Sequence, residues 1–206
     1  MSEALKRFIE AGWIVDSGVD YDSIRQAGAR LAIELALDEA RQNPPDPDSD
    51  RADWINMRNL AALLGALKAG ADLSPKGVRK RARRLSRGIE KMGRKEPRLH
   101  FALSDGSRSG PPVRVYSSEG LDAQLEAAAR AFLQRETHLD AEAAVLTVPR
   151  LMRRRFRDFA VSRVDAVRFI IPRLEDGPDQ RFLRERLFEI RLRYKQHDWR
   201  LNAQAL

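Results

Sequence analysis

Hydrophobic positions along the chain change their period several times, and each change predicts a new element. Leu5, Phe8 and Ile9 sit at helical spacing before Gly12 and Gly18 mark a break. Asp22 or Ser23 can then cap a longer helix through Ile24, Leu31 and Leu35, which the run Asn43-Pro44-Pro45-Asp46-Pro47 ends. The stretch from Asn43 to Asp53 has three prolines, four aspartates and little to bury, so it reads as an exposed linker. Beyond it, Asp53 can cap a helix whose Met57, Leu60, Leu63, Leu64 and Leu67 form a core-facing stripe. Residues Lys68 to Leu73 supply a turn around Gly70, and Ser74-Pro75 is a helix start, with serine as N-cap and proline at the first helical position. That second helix is expected to run to about Gly93.

After Pro97 the period shortens to two. Leu99, Phe101 and Leu103 alternate with Arg98, His100 and Ala102, and Val113 and Val115 alternate with Arg114 and Tyr116. Between them, Ser104 to Pro112 is rich in turn formers and carries Arg108 near its centre, which predicts a β-hairpin over 98–116 with a long polar connection. The remainder reads as helical. Leu121, Leu125, Ala128 and Phe132 form one stripe, Asp140 to Leu146 and Pro149 to Phe159 two short helices, Val164 to Ile171 another apolar stretch, and Leu183, Leu187, Ile190 and Tyr194 a last one.

Charge separates these parts. Residues 1–56 hold 6 basic and 12 acidic side chains, residues 57–117 hold 15 and 4, and residues 118–206 hold 17 and 14, so the net +8 is concentrated in the middle third. At 43% hydrophobic and 33% charged, the 206-residue chain is a globular protein rather than a disordered tail. The absence of cysteine removes disulfide scaffolds, thiol nucleophiles and cysteine-ligated zinc. His100, His138 and His197 are too widely spaced for a local metal motif, and Asp16, Asp20 and Asp22 read as loop residues and caps, so no metal and no cofactor is expected. No glycine-rich phosphate loop and no catalytic grouping emerges, which places an enzyme last among the function classes. No apolar run approaches the roughly 18 residues of a membrane span, and the amino terminus lacks a secretory pattern, so a cytoplasmic location is expected.

The middle third holds the sharpest signal. At about 100° per residue, Val78, Ala82, Leu85, Ile89 and Met92 fall within about 40° of one direction. Lys76, Lys80, Arg83, Arg84, Arg87 and Lys91 lie opposite, and Glu90 is the only acid between Asp72 and Glu96. An ordinary solvated helix intersperses acids for i, i+4 pairing; this one presents like charges to a partner that a phosphate backbone would suit.

The order of apolar helix, turn, basic helix and hairpin over Trp54 to Tyr116 resembles a winged helix-turn-helix. The resemblance implies that Ser74 to Lys91 is a recognition helix and Arg98 to Tyr116 a wing. It implies that Lys76, Arg79, Lys80 and Arg83 meet base edges, and that Arg84, Arg87, Lys91, Arg108 and Arg114 hold phosphates. The expected organisation is a mainly α-helical protein with one small β-hairpin. It has an acidic helical segment (1–43), a linker (44–53), a winged helix-turn-helix (54–117) and a helical region (118–206) available for dimerisation or partner contacts. The expected function is non-enzymatic binding of double-stranded DNA, as a sequence-specific transcriptional or mobile-element regulator working as a homodimer. The alternative is a nucleic-acid-binding subunit of a ribonucleoprotein, packaging or partition complex. Asp140 to Phe159, with Arg153, Arg154 and Arg155, scans as a second helix-turn-helix, although a solvated basic face, partly paired with Asp158, reads more simply.

Overall fold

The computed structural model describes residues 2–15, 18–69, 74–85 and 90–204. The chain is mainly helical, as its pattern predicts, and divides into two compact units: Met1–Ile89 with Ala102–Gln124 and Asp198–Leu206, and Glu90–Phe101 with Leu125–His197.

In the first unit, helix α1 (Ser2–Glu10) leads into a short antiparallel pair, β1 (Ile14–Val15) and β2 (Gly18–Val19), followed by α2 (Tyr21–Gln26), α3 (Ala29–Gln42), α4 (Arg51–Ala69) and α5 (Pro75–Leu85). Its core gathers Leu5, Phe8, Ile24, Ile33, Leu37, Leu60, Leu63 and Leu67. The α4 stripe therefore packs as expected. The single helix expected after Asp22 is two helices, because Gly28 adopts φ +64, a left-handed conformation that glycine enters without strain. That break re-phases the stripe: Ile33, Leu37 and Ala40 are buried, whereas Leu31 and Leu35 stand exposed. The cap is Asp20, whose Oδ1 accepts from the backbone N–H of Ser23 at 2.9 Å. Residues 43–50 form a tight loop between α3 and α4, wound around Asp46, whose Oδ1 accepts from the N–H groups of Asp48 and Ser49.

The expected wing does not form. Leu99–Ala102 is a helical turn, α7, preceded by α6 (Glu90–Lys95), and no residue from Leu103 to Ser117 belongs to a strand; Ser107 makes only an isolated bridge to Leu201. The period-two reading fails on burial. Leu99, His100, Phe101, Ala102 and Leu103 are all buried, so the segment has no polar face to turn outward. Strand-like backbone partners come instead from two asparagines of α4. Asn56 Nδ2 donates to the carbonyl of Tyr116 at 2.7 Å and its Oδ1 accepts from the Tyr116 N–H at 2.9 Å. Asn59 Nδ2 donates to the carbonyls of Ala102 and Arg114, and its Oδ1 accepts from the Ser104 N–H.

In the second unit, the part of α8 (Leu121–Glu136) from Leu125 onward buries Leu125, Ala128, Ala129, Phe132 and Leu133. Of these, Ala129, Phe132 and Leu133 belong to the unit's own hydrophobic core. Asp140 to Leu146 is not helical. Strands β3 (His138–Asp140) and β4 (Val145–Val148) pair antiparallel around a turn in which Asp140 Oδ1 accepts from the Ala143 N–H. Helices α9 (Arg150–Arg154), α10 (Phe156–Phe159) and α11 (Arg163–Ile170) follow, the last closed by a capping box between Ser162 and Asp165. Helix α12 (Pro178–Glu185) ends before Leu187, and the expected final helix gives way to β5 (Arg191–Tyr194), which runs parallel to β4 and completes a three-stranded sheet. β-branched Val145, Thr147 and Val148 favour the pleated sheet over the short helix their neighbours suggested.

Candidate functional site

Helix α5 begins as its sequence predicts, with Ser74 Oγ accepting from the Gly77 N–H at 3.2 Å and Pro75 at the first helical position. Val78 and Ala82 are buried and fix the inner face. Arg81 points inward as well, donating through a guanidinium N–H to the carbonyl of Gly65 in α4. The other cations face solvent: Lys76, Arg79, Lys80, Arg83 and Arg84 are all exposed, and Pro75 to Leu85 contains no acid. The helix is thus a one-sided cationic surface, with one arginine spent on holding it to its neighbour.

The remaining site residues do not extend that surface as the wing picture required. Arg87 lies outside the described residues, as does the turn at Gly70 to Leu73. Lys91 falls in α6, which belongs to the other unit, and its side chain is not among those described. Arg108 is exposed, on a loop pinned to the carboxy-terminal segment by its N–H, which donates to the carbonyl of Arg200 at 2.9 Å. There Arg200 pairs bidentately with Asp198, holding that carboxylate down at about 2. Arg114 is half-buried, with its carbonyl accepting from Asn59. Arg108 and Arg114 are therefore parts of a polar loop braced by asparagine and serine, not the tip and flank of a hairpin.

A second polar constellation escaped the sequence reading. His100 Nε2 lies 2.9 Å from Asp158 Oδ2, with side chains only 4% and 8% exposed. A carboxylate can only accept, so Nε2 carries the hydrogen. Burial lowers the histidine pKa from its usual value, the charges of Arg154 and Arg155 push the same way, and Asp158 opposes them. The 58-residue separation hid the pair, and its only sequence sign was a histidine at the boundary of an apolar run. Among the described residues no group of three or more His, Asp or Glu is placed to hold a metal ion. No helix among them is long and apolar enough to cross a membrane.

Residues 71–133 match a family model described as "Protein of unknown function, DUF547". The matched span contains the basic helix, the asparagine-braced loop and most of α8, and it replaces the winged helix-turn-helix as the likeness this region carries. No curated protein and no solved structure matches the chain.

Proposed function

We propose that the protein is a non-enzymatic, cytoplasmic binding protein that grips the phosphate backbone of nucleic acid through the outer face of α5, without reading base sequence. The observation that carries this reading is the exposure of Lys76, Arg79, Lys80, Arg83 and Arg84 on one helix whose opposite face is buried by Val78 and Ala82. Like charges held together on a fixed helix repel one another, and a polyanion that displaces counterions relieves the repulsion. Without a wing beside it, the helix lacks the second contact that would set its register in a groove. Backbone gripping is thus better supported than recognition of a DNA site.

Fluorescence anisotropy with a random 20-base-pair duplex tests the proposal. Affinity should fall steeply as salt rises, and each neutralised phosphate contact should contribute about 0.9 to the slope of log K against log salt. Replacing Lys76, Lys80, Arg83 and Arg84 together by alanine should flatten that slope and abolish binding at 150 mM salt. Unchanged binding by this variant, or strong enrichment of one sequence from a random pool, would sink the reading.

A further inference from the structure

Where α8 ends, the second unit has an open cavity of about 220 Å³, lined on that side by Gln134 and Thr137. Its apolar part comes from Leu139 and Leu146, which face each other across the β3–β4 ladder and are both buried, and from the half-buried Leu174. Glu175 and Asp179 complete the wall. Gln180 of α12 holds this last part in place: its buried amide Nε2 donates to Ile171 O at 3.1 Å and to Leu174 O at 3.5 Å, tying the start of α12 to the residues before it.

The polar groups of the cavity are acceptors without partners. Leu174 to Asp179 reads Leu-Glu-Asp-Gly-Pro-Asp, with three acids and no base. Glu175 and Asp179 are exposed, and neither makes an ion pair or hydrogen bond with another described residue. Thr137 Oγ1 is buried and has no hydrogen-bond partner among the described residues. A hydroxyl left so inside a packed unit is costly unless something reaches it. An ammonium group brings three N–H donors and no acceptor, which suits two carboxylates and a hydroxyl oxygen. The leucines can cover a hydrocarbon chain, and the space is below the roughly 300–1,000 Å³ of drug-sized sites, so the chain is short. A bare metal ion would leave the leucines unused, and no third carboxylate or imidazole joins the pair as a ligand set among the described residues.

We propose that this cavity binds a primary alkylammonium group, its charged head held by Glu175, Asp179 and the Thr137 hydroxyl and its hydrocarbon chain laid over Leu139, Leu146 and Leu174. A free amine and a lysine side chain share that chemistry. The site lies in the other unit from α5 and takes a cation, so it does not rest on the nucleic-acid reading. Water and salt screen the exposed carboxylates, so binding is of millimolar order and weakens as ionic strength rises. Asp179 also suits the positive end of α12, in whose first turn it lies, whereas Glu175 lies outside any helix and gives the cleaner variant.

Amide-resolved NMR titration at fixed ionic strength tests this, with methylammonium, propylammonium, pentylammonium, pentanoate and Nα-acetyl-lysine N-methylamide as probes. Pentylammonium should shift residues 134–139 and 174–179 saturably, and pentanoate should not. Affinity should rise about two- to fourfold for each methylene added between methylammonium and pentylammonium, as apolar surface leaves water. The lysine amide separates the sources: binding at least as tight as that of pentylammonium marks a peptide lysine as the ligand, and clearly weaker binding marks a free amine. Glu175→Gln should weaken pentylammonium about fivefold, the upper end for an exposed ion pair. Thr137→Val removes the stranded hydroxyl at nearly constant shape, so it should raise the urea midpoint and yet weaken pentylammonium. The chain-length series on the unaltered protein stands whether or not a variant folds. The fourfold alanine variant of α5 should bind pentylammonium normally, so failure of one proposal leaves the other readable. The cavity proposal is overturned by the absence of saturable shifts up to about 20 mM pentylammonium, by equal binding of methylammonium and pentylammonium, by equal binding of pentanoate, or by unchanged affinity in Glu175→Gln or Thr137→Val.

Discussion

Asn56 and Tyr116 exchange two hydrogen bonds as if they were neighbours on paired strands: the amide Nδ2 donates to the tyrosine carbonyl at 2.7 Å, and Oδ1 accepts from its N–H at 2.9 Å. A side chain on a helix thus takes the place of a β-ladder. One turn along, Asn59 does the same for Ala102, Ser104 and Arg114, so two fully buried amides satisfy the backbone of an otherwise irregular loop. Each backbone group left unpaired in a dry interior costs roughly 1–3 kcal/mol. Asn59→Ala should therefore destabilise the protein by at least about 3 kcal/mol and Asn56→Ala by about 2 kcal/mol, read from urea midpoints. Asn59→Asp should be no milder than the alanine change, because its carboxylate would face two carbonyl oxygens. A loss below about 1 kcal/mol in either alanine variant would mean that water replaces the amides.

Gly93 stands where His100 and Asp158 need room. A Cβ there would fall 2.8 Å from the His100 Cε1 and 3.1 Å from Asp158 Oδ2, and closer still to the ring nitrogen Nε2. In an exposed helix, glycine to alanine gains about 1 kcal/mol in propensity. Here overpacking should outweigh that gain, so Gly93→Ala should lose about 1–3 kcal/mol and shift the His100 ring resonances. A rise in the thermal midpoint would show that the histidine swings aside freely.

The same histidine predicts a pH dependence. Desolvation lowers its pKa below 6.5, aided by Arg154 and Arg155 and opposed by Asp158, with Arg94 facing that carboxylate. In the unfolded chain the imidazole takes up a proton at higher pH than in the folded one, so the unfolded state binds more protons between the two pKa values. The stability that a neutral His100 provides is then complete above about pH 6.5 and falls away as the pH drops below it, by at most about 1.4 kcal/mol per pH unit. Urea denaturation from pH 7.5 to 5 should show this loss, and His100→Gln should flatten it. An identical pH slope in the variant would assign the loss to other groups.

What the sequence could reveal follows the range of the interactions involved. The cap at Ser74 is local, and the stripe of Leu60, Leu63, Leu64 and Leu67 needs only one helix to be visible; both signals were legible. Leu99 to Leu103 was misleading because alternation predicts a strand only when one face meets water, and here His100 is as buried as its neighbours. Leu187, Ile190 and Tyr194 continue a helical spacing beyond the end of α12, yet pairing with β4 overrides it. The cationic face of α5 was legible because like charges on one helix need no tertiary knowledge. The cavity beside Thr137 was not, since its walls come from the end of α8, the β3–β4 pair and the segment leading into α12.

The carboxy-terminal segment shows how little sequence such long-range docking needs. Asn202 accepts from the Val19 N–H through its carbonyl at 2.8 Å and from the Tyr21 hydroxyl through Oδ1 at 2.7 Å, while its own N–H donates to Gly106 O at 3.1 Å. Burial pushes the Tyr21 pKa up, so the phenol stays protonated and must donate to a partner. Removing that partner strands a hydroxyl inside the unit, and Asn202→Ala should cost about 1–3 kcal/mol. In a Tyr21→Phe background the same substitution strands nothing and should cost distinctly less, giving a coupling energy of about 1 kcal/mol in a double-mutant cycle. Additive losses across the cycle would show that the Asn202 side chain is not coupled to the tyrosine hydroxyl.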